Sequence, residues 1–402
     1  MDDAADSASP ERRADPRRWA VLVAGMLTLI ATCAFQYGLP FLVPAFRASG
    51  MTLAEAGVLI SAPIAGVLSS LVVWGAVTDR VGERRVLLAG LAATVGLLAV
   101  ASVVRGTLAL GLLLAAAGAT SSCVHVASGR LILGWFAAHE RGLAMGLRQT
   151  AQPLGVALAA VALPGLGAHD PQRAIAFLAV AAAVALGLVL GLVRDPATPV
   201  GGPAEETTSP YRGAFLWRIH ASSSLLVVPQ FTVSAFAFDY LVNDRRWATA
   251  AAGSVLAIAQ VGGAGIRLFA GWWSDQAGSR LRPMRLLALV TAGVLGGLAV
   301  GAAVGTPVTV ALLVVAAVLT ASTNGLAFTA VAERAGRFWA GRALGVQNTT
   351  QNVAAAATPP AMAALITATG PATGYAAAFG VAVGFPIVAA LTIPVTGERP
   401  LG

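Results

Sequence analysis

Charge is what this chain lacks. Of its 402 residues only 11% are charged, against 57% hydrophobic, and the mean hydropathy is +0.78. A soluble domain carries roughly 25% Asp, Glu, Lys and Arg. There is too little charge here to cover a water-facing surface, so water is excluded as the solvent for most of the chain. Lysine is missing altogether: all 26 cationic residues are Arg. We read this as the codon usage of a GC-rich genome, without functional weight. The only cysteines, Cys33 and Cys123, lie inside apolar runs, which excludes a disulfide framework. Four histidines (His125, His139, His169 and His220) have no ligand spacing, so no metal site is expected. No nucleophile–base pair or phosphate loop marks an enzyme, and no cofactor is expected. The net charge of +8 could suit nucleic acid. The arginines, however, fall in short clusters between apolar runs, which makes a lipid bilayer the expected partner and excludes nucleic acid.

What is present in abundance is apolar runs of membrane length. About 20 such residues cross the ~30 Å hydrocarbon layer. Twelve runs qualify, near 19–44, 53–77, 86–104, 108–136, 143–163, 174–193, 215–241, 249–273, 286–303, 307–331, 343–365 and 373–395. They must be helices, because a lone strand in lipid leaves its backbone unpaired. The first run is too long for a signal-peptide core. With a cytoplasmic N-terminus, 18 arginines lie on that side and 5 on the other, while Arg130, Arg148 and Arg267 lie within spans. The positive-inside rule then places both termini in the cytoplasm, and the expected location is a bacterial cytoplasmic membrane. Asp195 to Ala214 is rich in Pro, Gly and Glu, a linker composition. The expected organisation is an all-α membrane protein of two pseudo-symmetric six-helix bundles. It runs as a tail (1–18), a bundle (19–194), a cytoplasmic linker (195–214), a second bundle (215–395) and a tail (396–402).

The halves are related in sequence. Ala56-Gly57, Gly66, Gly75, Asp79, Gly82 and Arg84 recur 196 positions on as Ala252-Gly253, Gly262, Gly271, Asp275, Gly278 and Arg280. Gly146-Leu147-Arg148-Gln149-Thr150 and Gly345-Val346-Gln347-Asn348-Thr349 repeat at an offset of 199. Two similar hydrophobic halves are the plan of a secondary transporter, with the binding site near the midplane at the repeat interface.

The loop Gly75-Ala76-Val77-Thr78-Asp79-Arg80-Val81-Gly82-Glu83-Arg84-Arg85, with its weaker copy Gly271-Trp272-Trp273-Ser274-Asp275-Gln276-Ala277-Gly278-Ser279-Arg280, closely resembles the signature of the major facilitator superfamily. The glycines have a physical reason: Gly75 and Gly271 allow close helix approach, and Gly82 and Gly278 allow a tight turn. An Asp at a helix end can accept hydrogen bonds from the N–H groups of a neighbouring helix start. The resemblance implies that Asp79 does this at the start of span eleven as a gating latch, with Arg80 and Arg84 in the surrounding charge network. Asp275 and Arg280 would serve the second loop, where Gln276 replaces the usual Arg. The alternative is that these arginines only fix topology.

The residues that the membrane should reject point to cargo. A charge at the bilayer centre costs about 2.5–3.5 kcal/mol on insertion scales. Arg267 lies eight residues before Asp275, hence roughly 12 Å inside at about 1.5 Å per residue. Its counterpart in the repeat is Leu71. Gly263 leaves it room, and Gln260 shares its face. Arg267-Leu268-Phe269-Ala270-Gly271 resembles span eight of the monocarboxylate, oxalate/formate and nitrate/nitrite branches, which implies substrate contact by Arg267. The second Arg of the nitrate branch and the span-one Lys of the monocarboxylate branch are not here. Ser121, His125 and Ser128 share one face of span four. Arg130 stands about 140° round from His125, and Arg148 lies about two turns into span five. Arg130 reads equally as a substrate or a structural cation, and Arg148 also as a strut near the cytoplasm. Gln36, Tyr37 and Asn324 complete the candidate binding set, with Gln230, Tyr240, Ser322 and Thr323 as further neutral cavity candidates. Asp239 is the one carboxylate placed within a span. His125, which titrates near neutral pH, and Asp239 are the proton-carrying candidates.

These features lead to a twelve-span carrier, expected to be a monomer, for a small organic anion of monocarboxylate type, with a co-transported proton as a further partner. The rivals are an exporter of hydrophobic or cationic compounds and a non-transporting sensor with the carrier fold.

Overall fold

The computed structural model describes residues 16–51, 53–167, 170–195, 209–336, 338–370 and 373–398. The N-terminal 1–15, His169, residues 196–208 of the expected linker and the final residues 399–402 lie outside the described residues. Every regular element among those described is helical. The helices are α1 (Arg17–Gly38), α2 (Val43–Ala48), α3 (Leu53–Val81), α4 (Glu83–Ala101), α5 (Thr107–Ser121), α6 (Cys123–Trp135), α7 (Ala138–Gln149), α8 (Ala151–Gly167) and α9 (Pro171–Leu192) in the first half. The second half holds α10 (Ala214–Asp239), α11 (Thr249–Gln276), α12 (Leu281–Val304), α13 (Val308–Leu319), α14 (Asn324–Ala335), α15 (Ala340–Thr369) and α16 (Gly374–Thr392).

Among the described residues, eleven stretches are long and apolar enough to cross a membrane. The remaining expected span, the eleventh, coincides with α15, a helix of 30 residues whose N-terminal half carries the polar run Gln347 to Asn352. The expected spans agree with the observed helices to within five residues at each end. Prolines lie inside α3, α8, α10, α15 and α16 (Pro63, Pro164, Pro229, Pro359, Pro360 and Pro386), as membrane helices packed in a bundle tolerate.

The compact units are not the two sequence halves. One unit comprises residues 1–137, 150–208 and 335–348, the other 138–149, 209–334 and 349–402. α7 thus belongs with the second unit, and the start of α15 with the first. The first unit is filled by Phe35, Leu39, Leu42, Leu59, Leu98, Leu114, Leu163 and Ile175, and around Cys33 and Cys123 by Leu87, Leu91, Val124 and Val189. In the second, Val233, Tyr240, Leu295, Leu298, Leu313 and Phe379 pack together.

Two helices tighten at matching places. His125 N–H reaches Ser122 O at the α5–α6 junction. At the α13–α14 junction Ala321 and Ser322 bond to Val318 O and Leu319 O. Such three-residue bonds in mid-helix mark sites of local constraint, often functional. They bring Ser121, Ser122, Ser322 and Thr323 to breaks in spans four and ten.

Candidate functional site

The first charged loop is built on Asp79, at the last turn of α3. Its Oδ1 accepts from Gly341 N–H at 2.8 Å and its Oδ2 from Arg342 N–H at 3.0 Å, the unpaired donors at the start of α15. The approach is possible because Gly75 and Gly341 bring two backbones into contact; a Cβ on either would strike the other's carbonyl. Gly345 packs on the carbonyl of Leu71 one turn on. Gly82 has φ +90° and turns the chain into α4.

The cation of this cluster is Arg130, read from the sequence equally as a substrate or a structural cation. It bonds Asp79 at 2.8 Å and Glu83 at 2.9 Å. The sequence reading placed no carboxylate here, because both acids stand at the ends of their helices. Arg130 reaches them from within α6. The expected network residues are arranged differently. Arg84 donates to the carbonyls of Val193 and Leu190, while its backbone N–H is capped by Asp195 at 2.7 Å. Arg80 is exposed and makes no hydrogen bond or ion pair among the described residues. Arg342 stands 3.8 Å from Asp79.

The second loop repeats the backbone contacts. Asp275 accepts from Gly142 N–H at 3.0 Å and Leu143 N–H at 2.9 Å in the first turns of α7. Gly142 meets Gly271, and Gly146 meets the carbonyl of Arg267. Arg280 supplies the cation in the absence of an Arg at position 276. It pairs with Asp275 and with Glu333 of α14, and also donates to Ser274 and to Ala138 O. Burial opposes its charge, but Glu333 and Asp275 outweigh this and hold its pKa above the ordinary value. Glu398 caps the N–H groups of Arg280 and Leu281 and accepts from Ser279, as Asp195 caps Arg84. Asp195, Glu398, Glu83, Glu333, Gly142 and Gly341 escaped the sequence reading. The acids that follow the last helix of each half were the available signal.

Arg267 sits in α11, one helical turn from the Gly271 contact, and is 8% exposed. Its Nε is buried without a hydrogen-bond partner. Among the described residues it forms no hydrogen bond or ion pair. Gly146 of α7 lies against its carbonyl, and Gly325 of α14 lies against Gly146, so three helices meet at its level. Arg148 is also buried, but it donates to Gln149 at 3.0 Å and lies 5.8 Å from the Phe328 ring. Gln260 is exposed. Asn324 donates to Gln230 at 3.1 Å. Asp239 accepts from the Tyr375 hydroxyl.

In the first unit, Gln36 joins two helices. Its Nε2 donates to Ser121 Oγ at 2.9 Å and its Oε1 is 2.7 Å from His125 Nε2. Tyr37 lies beside Cys33 on the same helix. No cluster of His, Cys, Asp and Glu among the described residues could hold a metal ion.

The sequence matches the model of the Major Facilitator Superfamily over residues 21–359. It is 40% identical over 382 residues to Rv2994 of Mycobacterium tuberculosis, described as an uncharacterised MFS-type transporter, covering 94% of this chain and 85% of that protein. Among solved structures, the fold is shared with the human organic anion transporter MFSD10 (TM-score 0.74, 18% identity, 94% of this chain and 100% of that one). It is also shared with a bacterial homologue of the iron transporter ferroportin (TM-score 0.72, 15% identity, 94% and 98%). A third such structure is the proton:xylose symporter XylE (TM-score 0.70, 16% identity, 96% and 97%). With the loop signature in place at both repeats, the chain belongs to the major facilitator superfamily, a multi-pass membrane transporter and not an enzyme.

Proposed function

We propose that this transporter carries a small organic anion of monocarboxylate type across a bacterial cytoplasmic membrane by alternating access, and that Arg267 receives its carboxylate. The observation that carries this reading is the contrast among four buried arginines. Arg130 and Arg280 are matched by carboxylates, and Arg148 by an amide and a ring. Arg267 is matched by no described side chain, at a depth where a charge costs about 2.5–3.5 kcal/mol. A cargo of the opposite sign offsets that cost, and the planar fork of Arg fits a carboxylate with two parallel hydrogen bonds. The same fold carries organic anions in the human protein.

The two Asp-to-helix-start contacts serve in this reading as latches that open and close during the cycle, with both termini on the arginine-rich, cytoplasmic side. The test is uptake by purified protein in liposomes of acetate, lactate, pyruvate and a neutral sugar, comparing wild type, Arg267→Lys and Arg267→Ala. A charge-assisted hydrogen bond is worth about 1.5–3 kcal/mol, so Arg267→Ala should lose about tenfold to a hundredfold in carboxylate transport, with Arg267→Lys in between. Equal carboxylate uptake by wild type and Arg267→Ala removes the reading. Uptake of hydrophobic cations in place of acids would replace it with the exporter.

A further inference from the structure

We propose that His125 is a proton-carrying site of this transporter and that it gains and loses its proton at Nδ1. The argument is the direction of one hydrogen-bond chain. Ser121 Oγ donates to Gly118 O at 3.1 Å, so it accepts from Gln36 Nε2 at 2.9 Å. The Gln36 amide is thereby oriented with Oε1 toward His125 Nε2, at 2.7 Å. A carbonyl oxygen only accepts. His125 Nε2 must therefore carry a hydrogen in both charge states, and titration falls to Nδ1. Gln36 and Ser121 are each 1% exposed, so this orientation is set inside the protein. His125 itself is only partly buried, and it follows directly on the tightened turn between α5 and α6, where its own N–H bonds Ser122 O.

The charged and titratable groups on the elements packed around α6 leave His125 this role. On α6 itself, Arg130 is about 7.5 Å further along the axis at 1.5 Å per residue and is already held by Asp79 of α3 and Glu83 of α4. Arg17 and Arg18 of α1, Arg80 and Glu55 of α3 and Arg84 and Arg85 of α4 stand at helix ends. α5 carries no ionisable group. Cys33 and Tyr37 of α1, and Cys123, are neutral near pH 7 by their ordinary pKa values. His125 alone in this set ordinarily titrates between pH 5 and 8.

Resting on the anion reading of Arg267, the proton makes transport electroneutral. The cargo brings one negative charge and His125 one positive charge, so loaded and unloaded carriers bear the same net charge. A pH gradient then drives accumulation, and membrane potential does not.

Two experiments decide this. Nitrogen-15 NMR of histidine-labelled protein in nanodiscs, assigned by difference against His125→Asn, reads the tautomer without any cargo. The expected result is a neutral ring protonated at Nε2 that titrates at Nδ1, with Gln36→Glu moving the midpoint up by about 1 to 3 pH units, as an adjacent opposite charge does. A neutral ring protonated at Nδ1, or a midpoint unmoved by Gln36→Glu, overturns the proposal. In liposomes with lactate as the probe, His125→Asn should lose pH-gradient-driven accumulation disproportionately to lactate–lactate exchange. Accumulation equal to wild type overturns it. If wild type moves no carboxylate, the anion reading fails, and the NMR result still decides the proton site.

Discussion

The two charged loops share a plan and differ in where the charges come from. At the α3–α4 loop both acids, Asp79 and Glu83, lie on the loop and the cation Arg130 reaches in from span four. At the α11–α12 loop the cation Arg280 is on the loop beside Asp275, and the second acid, Glu333, reaches in from span ten. The backbone contacts are kept in both: an Asp on two N–H groups of a helix start, and an acid from beyond the last helix of the half on the start of the next helix. The duplication therefore fixed what depends on direction and let the counter-charge migrate, since Coulomb attraction needs nearness and not a given chain position. The difference sharpens one turn away. Gly345 lies on the carbonyl of Leu71, and Gly146 on that of Arg267. One packing slot thus holds a sealed apolar side chain in one repeat and an unmatched cation in the other.

The strongest way to break the comparison is at the glycines. A Cβ at Gly75 would overlap the backbone of Gly341, and one at Gly142 the backbone of Gly271. No flexible side chain can give way at Gly75, so overpacking should exceed its usual cost of about 1–3 kcal/mol. Gly75→Val and Gly142→Val should both fall well below wild type in thermal unfolding in detergent, by similar amounts. A valine variant that melts with wild type would show that the close approach at that loop is dispensable.

Next come the two aspartates. Asp79→Asn leaves Arg130 with Glu83, and Asp275→Asn leaves Arg280 with Glu333. Each variant keeps one counter-charge, so the cost should lie near the value of one charged hydrogen bond, about 1.5–3 kcal/mol, below the 3–5 kcal/mol of a buried pair left wholly unmatched. Single cysteines placed in 342–346 or 143–147 of variants lacking Cys33 and Cys123 give the second readout. Asp79→Asn should raise labelling at the first set only, and Asp275→Asn at the second only. Labelling unchanged in both refutes the latch role.

The sequence made some of this legible and hid the rest, for physical reasons. Span positions follow from hydropathy, because lipid imposes one pattern on every helix. Asp79 and Asp275 were visible because the repeat displays them both. The partners of Arg130 were not: Asp79 is 51 residues away in the chain, and helix rotation, which decides whether a side chain reaches it, leaves no mark in composition. Asp195 and Glu398 were absorbed into stretches read as linker and tail. The depth of Arg267 could be counted from Asp275. The absence of a described partner for it, and the one-way hydrogen-bond chain from Ser121 through Gln36 to His125, required coordinates.

The smallest expected effect is the most pointed. If Arg267 is retained for cargo and not for the fold, Arg267→Leu should make the protein more stable while carboxylate transport falls about tenfold to a hundredfold. Its counterpart Leu71 is fully buried, so an apolar side chain suits the same slot in the other repeat. Replacing even a buried ion pair by well-packed hydrophobic residues is often neutral or gains about 1–4 kcal/mol, and Arg267 has no ion-pair partner among the described residues to lose. Only the Nε of Arg267 is sealed without a partner, so the gain should fall at the low end, about 1 kcal/mol. A raised unfolding midpoint with lost uptake fits a cation held against the interest of the fold. A lowered midpoint would mean that the guanidinium supports its own helices, and the contrast among the buried arginines on which the anion reading stands would disappear.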